Sequence, residues 1–224
     1  MDAEEILLKL KAMKNQHNIE GMARFGINPK NTLGVPIPAL WKIGQEHKKS
    51  HLLAQQLWES RIHEARILAC IIENPAEVSE KQLEEWAKDF DSWDVCDQCC
   101  MHVFDKTEFA YKKAVEWPAR KEEFVKRAGF ALMATLSVHD KKAGNENFLQ
   151  FLQIIKREAT DERNFVKKAV NWALRQVGKR NKVLNRAAIK TAREILKIDS
   201  KSAKWIAKDA LKELKSTKVL SKLK

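Results

Sequence analysis

The sequence predicts an all-α protein. Apolar residues recur at helical spacing along almost all of the 224 residues. Glycine and proline are sparse, with seven and five copies, so the chain has few of the turns that a β-rich fold needs. Alanine, leucine, lysine, glutamate and glutamine dominate the composition, and all five favour helices. These observations together predict helices joined by short connections.

The apolar spacing defines the individual helices in order along the chain. They are predicted at about residues 2–15, 17–25, 37–49, 51–59, 61–74, 79–90, 93–104, 107–117, 119–138, 145–158, 161–178, 182–197 and 200–214. The long irregular stretch runs from Gly26 to Pro38 and contains two glycines and three prolines. Helices of this length with short links predict antiparallel neighbours.

A weak internal repeat indicates how these helices are arranged. FVKRAGFALMATLSV from Phe124 aligns with FVKKAVNWALRQVGK from Phe165 at an offset of 41 residues, and segments from His63 and Asn185 look like poorer copies. A period near 40 is typical of HEAT or armadillo repeats, in which helix pairs stack because no pair can bury its apolar face alone. We therefore expect a curved α-solenoid of antiparallel helix pairs, forming one domain over residues 1–224. The alternative is an irregular helical bundle.

The composition predicts a soluble cytoplasmic protein. No apolar run approaches the roughly 18 residues of a membrane span. The N-terminal stretch MDAEEILLKLKAMKNQ begins acidic and stays charged, which is unlike a signal peptide. Four cysteines in this setting are typical of free thiols in a reducing compartment.

The net charge of +12 is concentrated at one end of the chain. Residues 179–224 hold fifteen lysines and arginines against four acids, whereas residues 1–178 hold 27 basic and 26 acidic residues. A basic C-terminal region suits a polyanion such as nucleic acid. The alternative is a pair of solvated, lysine-rich terminal helices.

The stretch FDSWDVCDQCCMHVF, from Phe90 to Phe104, carries the most unusual set of side chains. In a helix, Trp93, Asp97, Cys100 and Phe104 fall on one stripe, so Asp97 is predicted to lie among apolar side chains. A carboxylate there is costly unless it has a partner or a function. Ser92 is a predicted N-cap, and Asp94 suits the first turn and the helix dipole.

The cysteines of this stretch raise the alternatives of a metal or redox site. Cys96 and Cys99 have the spacing of half a zinc site, but the sequence has no second cysteine pair, and His102 could join them only by bending a regular helix. A thioredoxin-like site needs a βαβ setting that the pattern does not predict. We expect Cys96, Cys99 and Cys100 to pack as small apolar residues.

Seven tryptophans are many for this length. Core packing is the expectation for most of them, because they lie at helical spacing beside leucine, isoleucine or alanine. Trp172 differs, since basic residues surround it and an aromatic ring in such a helix can stack on a base or sugar. The five expected core tryptophans are Trp41, Trp58, Trp86, Trp117 and Trp205.

Four stretches together resemble the AlkD-like DNA alkylation-repair glycosylases, a family built of HEAT-like repeats. Their order and separation fit over about residues 3–215, although no single one is specific. Two departures are a longer segment between Arg127 and Trp172 and the pair Cys99-Cys100. The four stretches are LGVPIPALWKIGQE (Leu33–Glu46), SWDVCD (Ser92–Asp97), KRAGFAL (Lys126–Leu132) and KKAVNWALRQ (Lys167–Gln176).

The resemblance implies a set of functional residues. The family's catalytic aspartate falls on Asp97, its two cleft tryptophans on Trp93 and Trp172, and its active-site arginine on Arg127. It also implies a duplex held in a concave cleft and attacked from the backbone side, without the base flipping used by most glycosylases. The residues expected to contact DNA are Lys126, Lys168, Arg175, Lys179 and Arg180.

The function implied is base excision repair of DNA alkylation. A purine alkylated at N3 or N7 is cationic and leaves readily, so one ionised aspartate can stabilise the sugar cation and place a water. We expect no cofactor, no metal ion and no membrane partner, and a monomer that acts on duplex DNA with alkylated bases. The alternatives are a non-catalytic HEAT-repeat module that binds DNA or a protein, and an RNA-binding protein.

Overall fold

A computed structural model describes residues 1–223, and every regular element among them is helical. The chain divides into two compact units, Met1–Thr107 and Glu108–Lys224. None of the described helices is both long and apolar enough to cross a membrane. The thirteen predicted helices are confirmed in order, with ends shifted by a few residues, and a short α-helix that was not predicted follows them at Thr217–Leu220.

The first unit contains seven α-helices and a short 3₁₀ helix, Phe104–Lys106. Contacts of α3, α4 and α7 with α5 place α5 at its centre. Accordingly, α5 buries nine of its ten residues, including His63, Glu64 and Arg66. The helices are α1 (Ala3–Ala12), α2 (Gln16–Arg24), α3 (Ile37–Gly44), α4 (His51–Glu59), α5 (His63–Ile72), α6 (Glu80–Lys88) and α7 (Trp93–His102).

The second unit contains seven further α-helices and a 3₁₀ helix, Trp117–Ala119. Its core is α9, in which every residue from Val125 to Ser137 is buried. A side chain at Gly129 would put its Cβ 2.5 Å from Pro118 Cδ, so glycine permits this close approach of α9 and the 3₁₀ helix. The helices are α8 (Ala110–Glu116), α9 (Glu123–His139), α10 (Asn145–Arg157), α11 (Asn164–Gly178), α12 (Lys182–Leu196), α13 (Lys201–Leu214) and α14 (Thr217–Leu220).

The sequence repeat corresponds to a structural one. The two best-matching segments form α9 and α11, which pack on one another. The first phenylalanines of the two segments, Phe124 and Phe165, meet with ring centroids 5.6 Å apart. The offset of 41 residues therefore relates two helices that occupy equivalent positions in successive helix pairs.

The irregular stretch from Gly26 to Pro38 is held by a buried carboxylate. The carboxylate oxygens of Glu64, a residue that is 1% exposed, accept hydrogen bonds from the backbone N–H groups of Leu33, Gly34 and Val35 at 2.8, 2.6 and 3.3 Å. Gly34 has φ +76°, a conformation that favours glycine. This anchoring fixes the loop between α2 and α3.

Candidate active site

Helix α7 has one half-exposed face and one buried face. The buried face consists of Val95, Cys96, Cys99, Cys100 and Val103. Asp97 is half-buried and lies with Trp93 on the other face, so it is not enclosed by apolar side chains as the sequence pattern predicted. The predicted stripe of neighbouring residues is confirmed, but only its Cys100 side is buried, and Asp97 lies just outside the core. The half-exposed face consists of Trp93, Asp94, Asp97, Gln98, Met101 and His102.

The beginning of α7 differs from the prediction in one hydrogen bond. Ser92 is the N-cap residue, but its side chain makes no capping bond. Instead its hydroxyl oxygen accepts the backbone N–H of Asn28 at 3.0 Å, and the Asn28 amide donates to Asp91 Oδ2 at 2.8 Å. Ser92 therefore joins α7 to the loop after α2, a long-range contact that a local capping rule does not foresee.

Asp94 has a buried partner in addition to its place in the first turn. Its Oδ1 accepts the N–H of Val95 at 3.0 Å, and its Oδ2 lies 2.9 Å from Nε2 of His63. Burial lowers the pKa of His63, but the hydrogen bond and charge of Asp94, together with the charges of Glu64 and Asp91, outweigh it, so the net shift is upward. The imidazolium form is therefore favoured, and it links α5 to α7.

Trp93 is oriented by a hydrogen bond to α2. Its indole Nε1–H donates to the carbonyl oxygen of Phe25, the C-cap residue of α2, at 3.1 Å. Trp93 and Phe25 both line a cavity of 570 Å³ inside the first unit, with His63 and Asp94 also in its wall. The first residues of the half-exposed face of α7 therefore line this cavity.

Trp41 adds a second aromatic ring beside α7. It lies on α3, is 37% exposed, and meets the ring of His102 edge-on with centroids 5.0 Å apart. The prediction that Trp41 is a core residue is wrong, because Leu40, Ile43 and Gly44 form the buried side of α3. The neighbouring Lys42 was the one local indication of an exposed position.

The remaining tryptophans divide between core and surface. Trp58 and Trp86 are each 4% exposed and stack at 4.1 Å, and Trp117 is 1% exposed, so these three core predictions are confirmed. Trp205 is 41% exposed, and Lys167 Nζ lies 5.4 Å from its ring centroid. The core prediction for Trp205 is therefore wrong.

In the second unit, most of the predicted DNA-contacting residues share one stripe of α11. Lys168, Trp172, Arg175 and Lys179 follow each other at spacings of four, three and four residues, which places them on one helix face. Lys168 is exposed and Trp172 is half-exposed. Arg175 Nη1 and Lys179 Nζ bind the carboxylate of Glu213 at 2.5 and 2.7 Å.

Lys126 and Arg127 are more enclosed than a direct DNA contact requires. Lys126 is 9% exposed, and its ammonium lies 2.6 Å from Glu158 and 3.1 Å from Asp161. Arg127 is 5% exposed and donates from Nη1 to the carbonyl oxygen of Phe165 at 2.6 Å. Arg127 fastens the first turn of α11.

Arg180 is directed away from the α11 stripe. Its Nη1 donates to the carbonyl oxygens of Ser137, in the last turn of α9, and of Asp140, the C-cap residue, at 2.9 and 2.7 Å. The guanidinium carbon lies 3.9 Å from the ring centroid of Phe148. These hydrogen bonds satisfy carbonyl groups at the C-terminal end of α9, so the guanidinium of Arg180 has a structural role within the protein.

The predicted basic C-terminal region includes a lysine stripe on α13, whose residues were not singled out from the sequence. The stripe lies opposite the buried residues Ala203, Ile206 and Ala210, and Trp205 lies beside it. A count of exposed positions at helical spacing would have found it. The stripe consists of Lys201, Lys204, Lys208, Lys212 and Lys215, all of them exposed.

All four cysteines are buried, which confirms the predicted packing role of Cys96, Cys99 and Cys100. Burial raises the pKa of Cys99 and of Cys100, and hydrogen bonds with Cys70 and Cys96 respectively raise it further. Both groups are therefore thiols rather than nucleophilic thiolates. Within residues 1–223, no group of three or more histidine, cysteine or acidic side chains is placed to hold a metal ion.

Comparison with known proteins assigns the chain to a family. The sequence model of the DNA alkylation repair enzyme family matches residues 6–214. The chain belongs to that family. No curated protein sequence matches it.

One solved structure shares the fold. It is described as belonging to a new family of proteins related to the HEAT-like repeat DNA glycosylases, with affinity for branched DNA structures. It matches this member of the DNA alkylation repair enzyme family with a TM-score of 0.79, covering 93% of this chain and 94% of that one at 21% identity. The predicted all-α fold of HEAT-like repeats is confirmed, as is the resemblance to the HEAT-like repeat glycosylases.

Proposed function

We propose that the protein is a DNA glycosylase that hydrolyses the N-glycosidic bond of alkylated, positively charged purines of the 3-methyladenine and 7-methylguanine type in duplex DNA. The observation that carries the proposal is the half-exposed face of α7. Asp97 lies there one turn from Trp93, in a chain whose family match spans residues 6–214. A carboxylate beside an electron-rich ring, both open to solvent, suits a cationic sugar.

In the proposed reaction, the bond between C1′ and the purine nitrogen breaks first and its electrons neutralise the purine cation. The deoxyribose then carries positive charge, which the carboxylate of Asp97 stabilises. A water placed by the same carboxylate attacks C1′ and loses its proton, leaving an abasic site. The reaction needs no strong general acid, because the leaving base is already cationic.

Other residues support this proposal in distinct roles. Trp93 has a fixed indole and offers its face to the sugar cation. Trp172 is proposed as the second tryptophan, on the same α11 stripe as the exposed Lys168. Arg127 is proposed as a positioning residue, because its hydrogen bond to Phe165 holds the first turn of α11, the helix that carries Trp172. Contact of Lys126, Lys168, Arg175, Lys179 and Arg180 with DNA stays a prediction.

Among these cations, Lys168 suits a phosphate best, because it is exposed and has no carboxylate within ion-pair distance in the described part of the chain. Arg175 and Lys179 would have to exchange Glu213 for a phosphate. We propose that the protein binds duplex DNA as a monomer, which light scattering of the free and bound protein checks.

The test is release of methylated purine from alkylated duplex DNA under single-turnover conditions. We expect Asp97→Asn to lower the rate about a hundredfold or more, because it removes the stabilising charge while keeping the shape. The matched control is Glu85→Gln, which removes an exposed carboxylate of α6 in the same unit. Its rate should equal that of the unmodified protein.

Two outcomes contradict different parts of the proposal. If the unmodified protein releases no base, the glycosylase activity is wrong. If it releases base and Asp97→Asn matches it, the activity stands and the assignment of Asp97 is wrong. Thermal unfolding of Asp97→Asn must match the unmodified protein, so that lost activity is not lost folding.

A second candidate is binding of branched DNA without base release. It is favoured by the structural neighbour, which is described as having affinity for branched DNA structures. The basic stripe of α13 and Lys168 offer phosphate contacts that need no catalytic residue. Tighter binding of a four-way junction than of a duplex, unchanged in Asp97→Asn and without base release, would support it over the glycosylase.

A further inference from the structure

A cavity of the second unit is lined by cations. It has a volume of 520 Å³, within the range of about 300–1,000 Å³ that is typical of small-molecule sites. Lys141, Lys179 and Arg180 lie in its wall, and no aspartate or glutamate of the described residues does. A space with this lining favours an anion over a cation. The remaining lining residues are Ser137, Val138, Ala143, Gln176 and Asn181.

The loop between α9 and α10 brings Lys141 to the cavity. Arg180 fixes this loop on both sides of Lys141. Its Nη1 donates to the carbonyl oxygen of Asp140 at 2.7 Å, and its Nη2 donates to that of Ala143 at 3.3 Å. The carboxylate of Asp140 accepts the backbone N–H groups of Lys142 and Ala143, both at 3.0 Å. The loop is therefore held without the side chain of Lys141, which is exposed and makes no hydrogen bond or ion pair within residues 1–223.

Glu213 interacts with one cation of the wall but does not line the cavity. Its carboxylate is shared by Lys179 at 2.7 Å and Arg175 at 2.5 Å. Two cations thus face one carboxylate. One positive charge of this group of three is left uncompensated beside the cavity.

Asp140 balances the charge of Arg180. Its carboxylate accepts the hydroxyl of Tyr111 at 2.9 Å in addition to the loop N–H groups. Burial raises the pKa of Asp140, but these hydrogen bonds and the charge of Arg180 outweigh it, so the net shift is downward and the group stays ionised. The charge of Lys141 therefore has no counter-charge in this loop.

Two side chains in the wall have donors without partners. Nε of Arg180 is buried and has no acceptor in the described part of the chain. The amide of Gln176 is half-buried and makes no side-chain hydrogen bond within residues 1–223. Arginine and amide N–H groups both donate to phosphate oxygens, so a phosphate suits these groups as well as the charge.

The cavity continues the α11 stripe beyond Trp172. Gln176 follows Trp172 by four residues and Lys179 follows it by seven, which places both on its side of the helix, about 6 and 10 Å along the axis. A DNA strand whose sugar lies at Trp172 would therefore bring a neighbouring phosphate to the cavity.

The loop belongs to a part of the chain that departs from the family pattern. The stretch SVHDKKAGNEN lies in the longer segment between Arg127 and Trp172. This stretch supplies half of the wall, including Lys141. The site therefore does not follow from the resemblance to the HEAT-like repeat glycosylases.

We propose that this cavity holds one phosphodiester of the DNA backbone, on the strand that passes Trp172, with Lys141 as its charged contact. Arg180 is a positioning residue, because it holds the loop that carries Lys141. The inference rests on the proposed binding of duplex DNA and adds a site that fixes the position of the strand. Such backbone contacts position DNA without reading its sequence.

The first test compares two neighbouring lysines of the loop by the salt dependence of duplex binding. Lys141→Ala should reduce the slope of log affinity against log salt by about 0.9, the value of one lost phosphate contact. Lys142→Ala is the matched control, since Lys142 is exposed on the same loop but does not line the cavity. Its slope should equal that of the unmodified protein. Equal slopes for the two variants would overturn the proposal.

Single uncharged methylphosphonates in the DNA locate the phosphate that occupies the cavity. A scan along the strand with the alkylated base should find a position where the substitution weakens binding of the unmodified protein and of Lys142→Ala. The expected loss is about tenfold, the value of one hydrogen bond to a charged group. At that position the affinity of Lys141→Ala should not change. A scan in which Lys141→Ala responds like the unmodified protein at every position would overturn the proposal.

An added carboxylate tests the sign of the charge that the cavity accepts. Gln176→Glu places a negative charge in the wall and should weaken duplex binding about tenfold, because it repels a phosphate at close range. Gln150→Glu adds the same charge at an exposed position of α10 and should leave the affinity unchanged. Thermal unfolding checks that both variants are folded. Equal affinities of the two folded variants would overturn the proposal.

Free phosphate is another source of the same chemistry, and inorganic phosphate is the probe for it. A phosphate that binds the folded protein raises its unfolding temperature. If this rise occurs in the unmodified protein but not in Lys141→Ala, while Lys141→Ala keeps the full salt slope with DNA, the cavity binds free phosphate and its assignment to the DNA backbone is overturned. A reduced slope in Lys141→Ala supports the backbone assignment, whether or not inorganic phosphate also binds.

Base release from methylated duplex separates this inference from the proposed function. If the unmodified protein releases base and Lys141→Ala keeps the full salt slope, the glycosylase stands and the phosphate site is wrong. If the unmodified protein releases no base and Lys141→Ala lowers the slope, the phosphate site stands and the glycosylase is wrong. If the unmodified protein does not bind duplex DNA, both are wrong.

Discussion

Nε2 of His63 lies 2.9 Å from Oδ2 of Asp94, and this ion pair joins the central helix of the first unit to the helix that carries Asp97. The side chain of His63 is 3% exposed and that of Asp94 is 15% exposed, so water screens the pair weakly. The orientation of α7, and with it the place of Trp93 and Asp97, depends on this contact.

We expect Asp94→Asn to lower the free energy of unfolding by about 3 kcal/mol, because it leaves a buried imidazolium without its counter-charge. The pKa of His63 is raised above 6.5 in the folded protein. Its contribution is therefore fully present below the unfolded pKa and is lost as the pH rises through the folded value. Urea unfolding across this range should show the difference between the two proteins shrinking as the pH increases. A constant or growing difference would contradict the charged pair.

Glu64 is predicted to be essential for the loop between α2 and α3. Three backbone N–H groups bind the two oxygens of Glu64, and Glu64→Gln replaces one of these oxygens with an NH₂ group that cannot accept, so we expect a loss of about 2 kcal/mol in unfolding free energy. Glu59→Gln changes an exposed residue of α4 and is the control. Chemical denaturation of both variants measures the difference. Equal stabilities would show that the loop is held by other contacts.

The tryptophans are predicted to fall into two functional groups. Trp58→Ala removes half of a stacked, buried pair and should cost about 3–5 kcal/mol of stability. Trp41→Ala, at a residue that is 37% exposed, should cost less than about 1 kcal/mol but weaken DNA binding, as loss of a stacking ring does. Thermal unfolding and a DNA titration on both variants check this division. Unchanged DNA affinity in Trp41→Ala would limit that residue to packing on His102.

Substitution of Lys168 is predicted to affect DNA binding, whereas substitution of Lys126 is predicted to affect stability. Lys168→Ala should reduce the slope of log affinity against log salt for duplex DNA by about 0.9, the value of one lost phosphate contact, without affecting stability. Lys126→Ala should destabilise the second unit, because Glu158 and Asp161 lose their shared cation. Lys9→Ala, on α1, serves as the control for nonspecific charge loss. An unchanged salt slope in Lys168→Ala would exclude its phosphate contact.

The cysteines are predicted to be unreactive in the folded protein. All four are buried, and the pKa values of Cys99 and Cys100 are raised. Iodoacetamide at neutral pH should therefore modify none of them until denaturant is added, after which mass spectrometry should find four labels. Rapid labelling of Cys99 or Cys100 without denaturant would contradict the buried thiol pairs.

The helices were predictable because their signals are local. Apolar spacing located α9 and α11, and the offset of 41 residues between them reflects a packing role that the two helices share. The stripe of Lys168, Trp172, Arg175 and Lys179 also follows from helical geometry alone. Burial was harder to predict. Trp41 and Trp205 look like core residues by their neighbours, and their exposure depends on which helix packs against them.

The sequence by itself determined the all-α repeat, the basic C-terminal region and the position of Asp97 one turn after Trp93, because helical periodicity and charge are properties of neighbouring residues. Only the tertiary structure decided that Ser92 bonds to Asn28, that Asp94 pairs with His63, and that Arg127 is buried against Phe165. These partners lie 31 to 64 residues apart in the chain. Such contacts form only when packing brings distant helices together, so no local pattern encodes them.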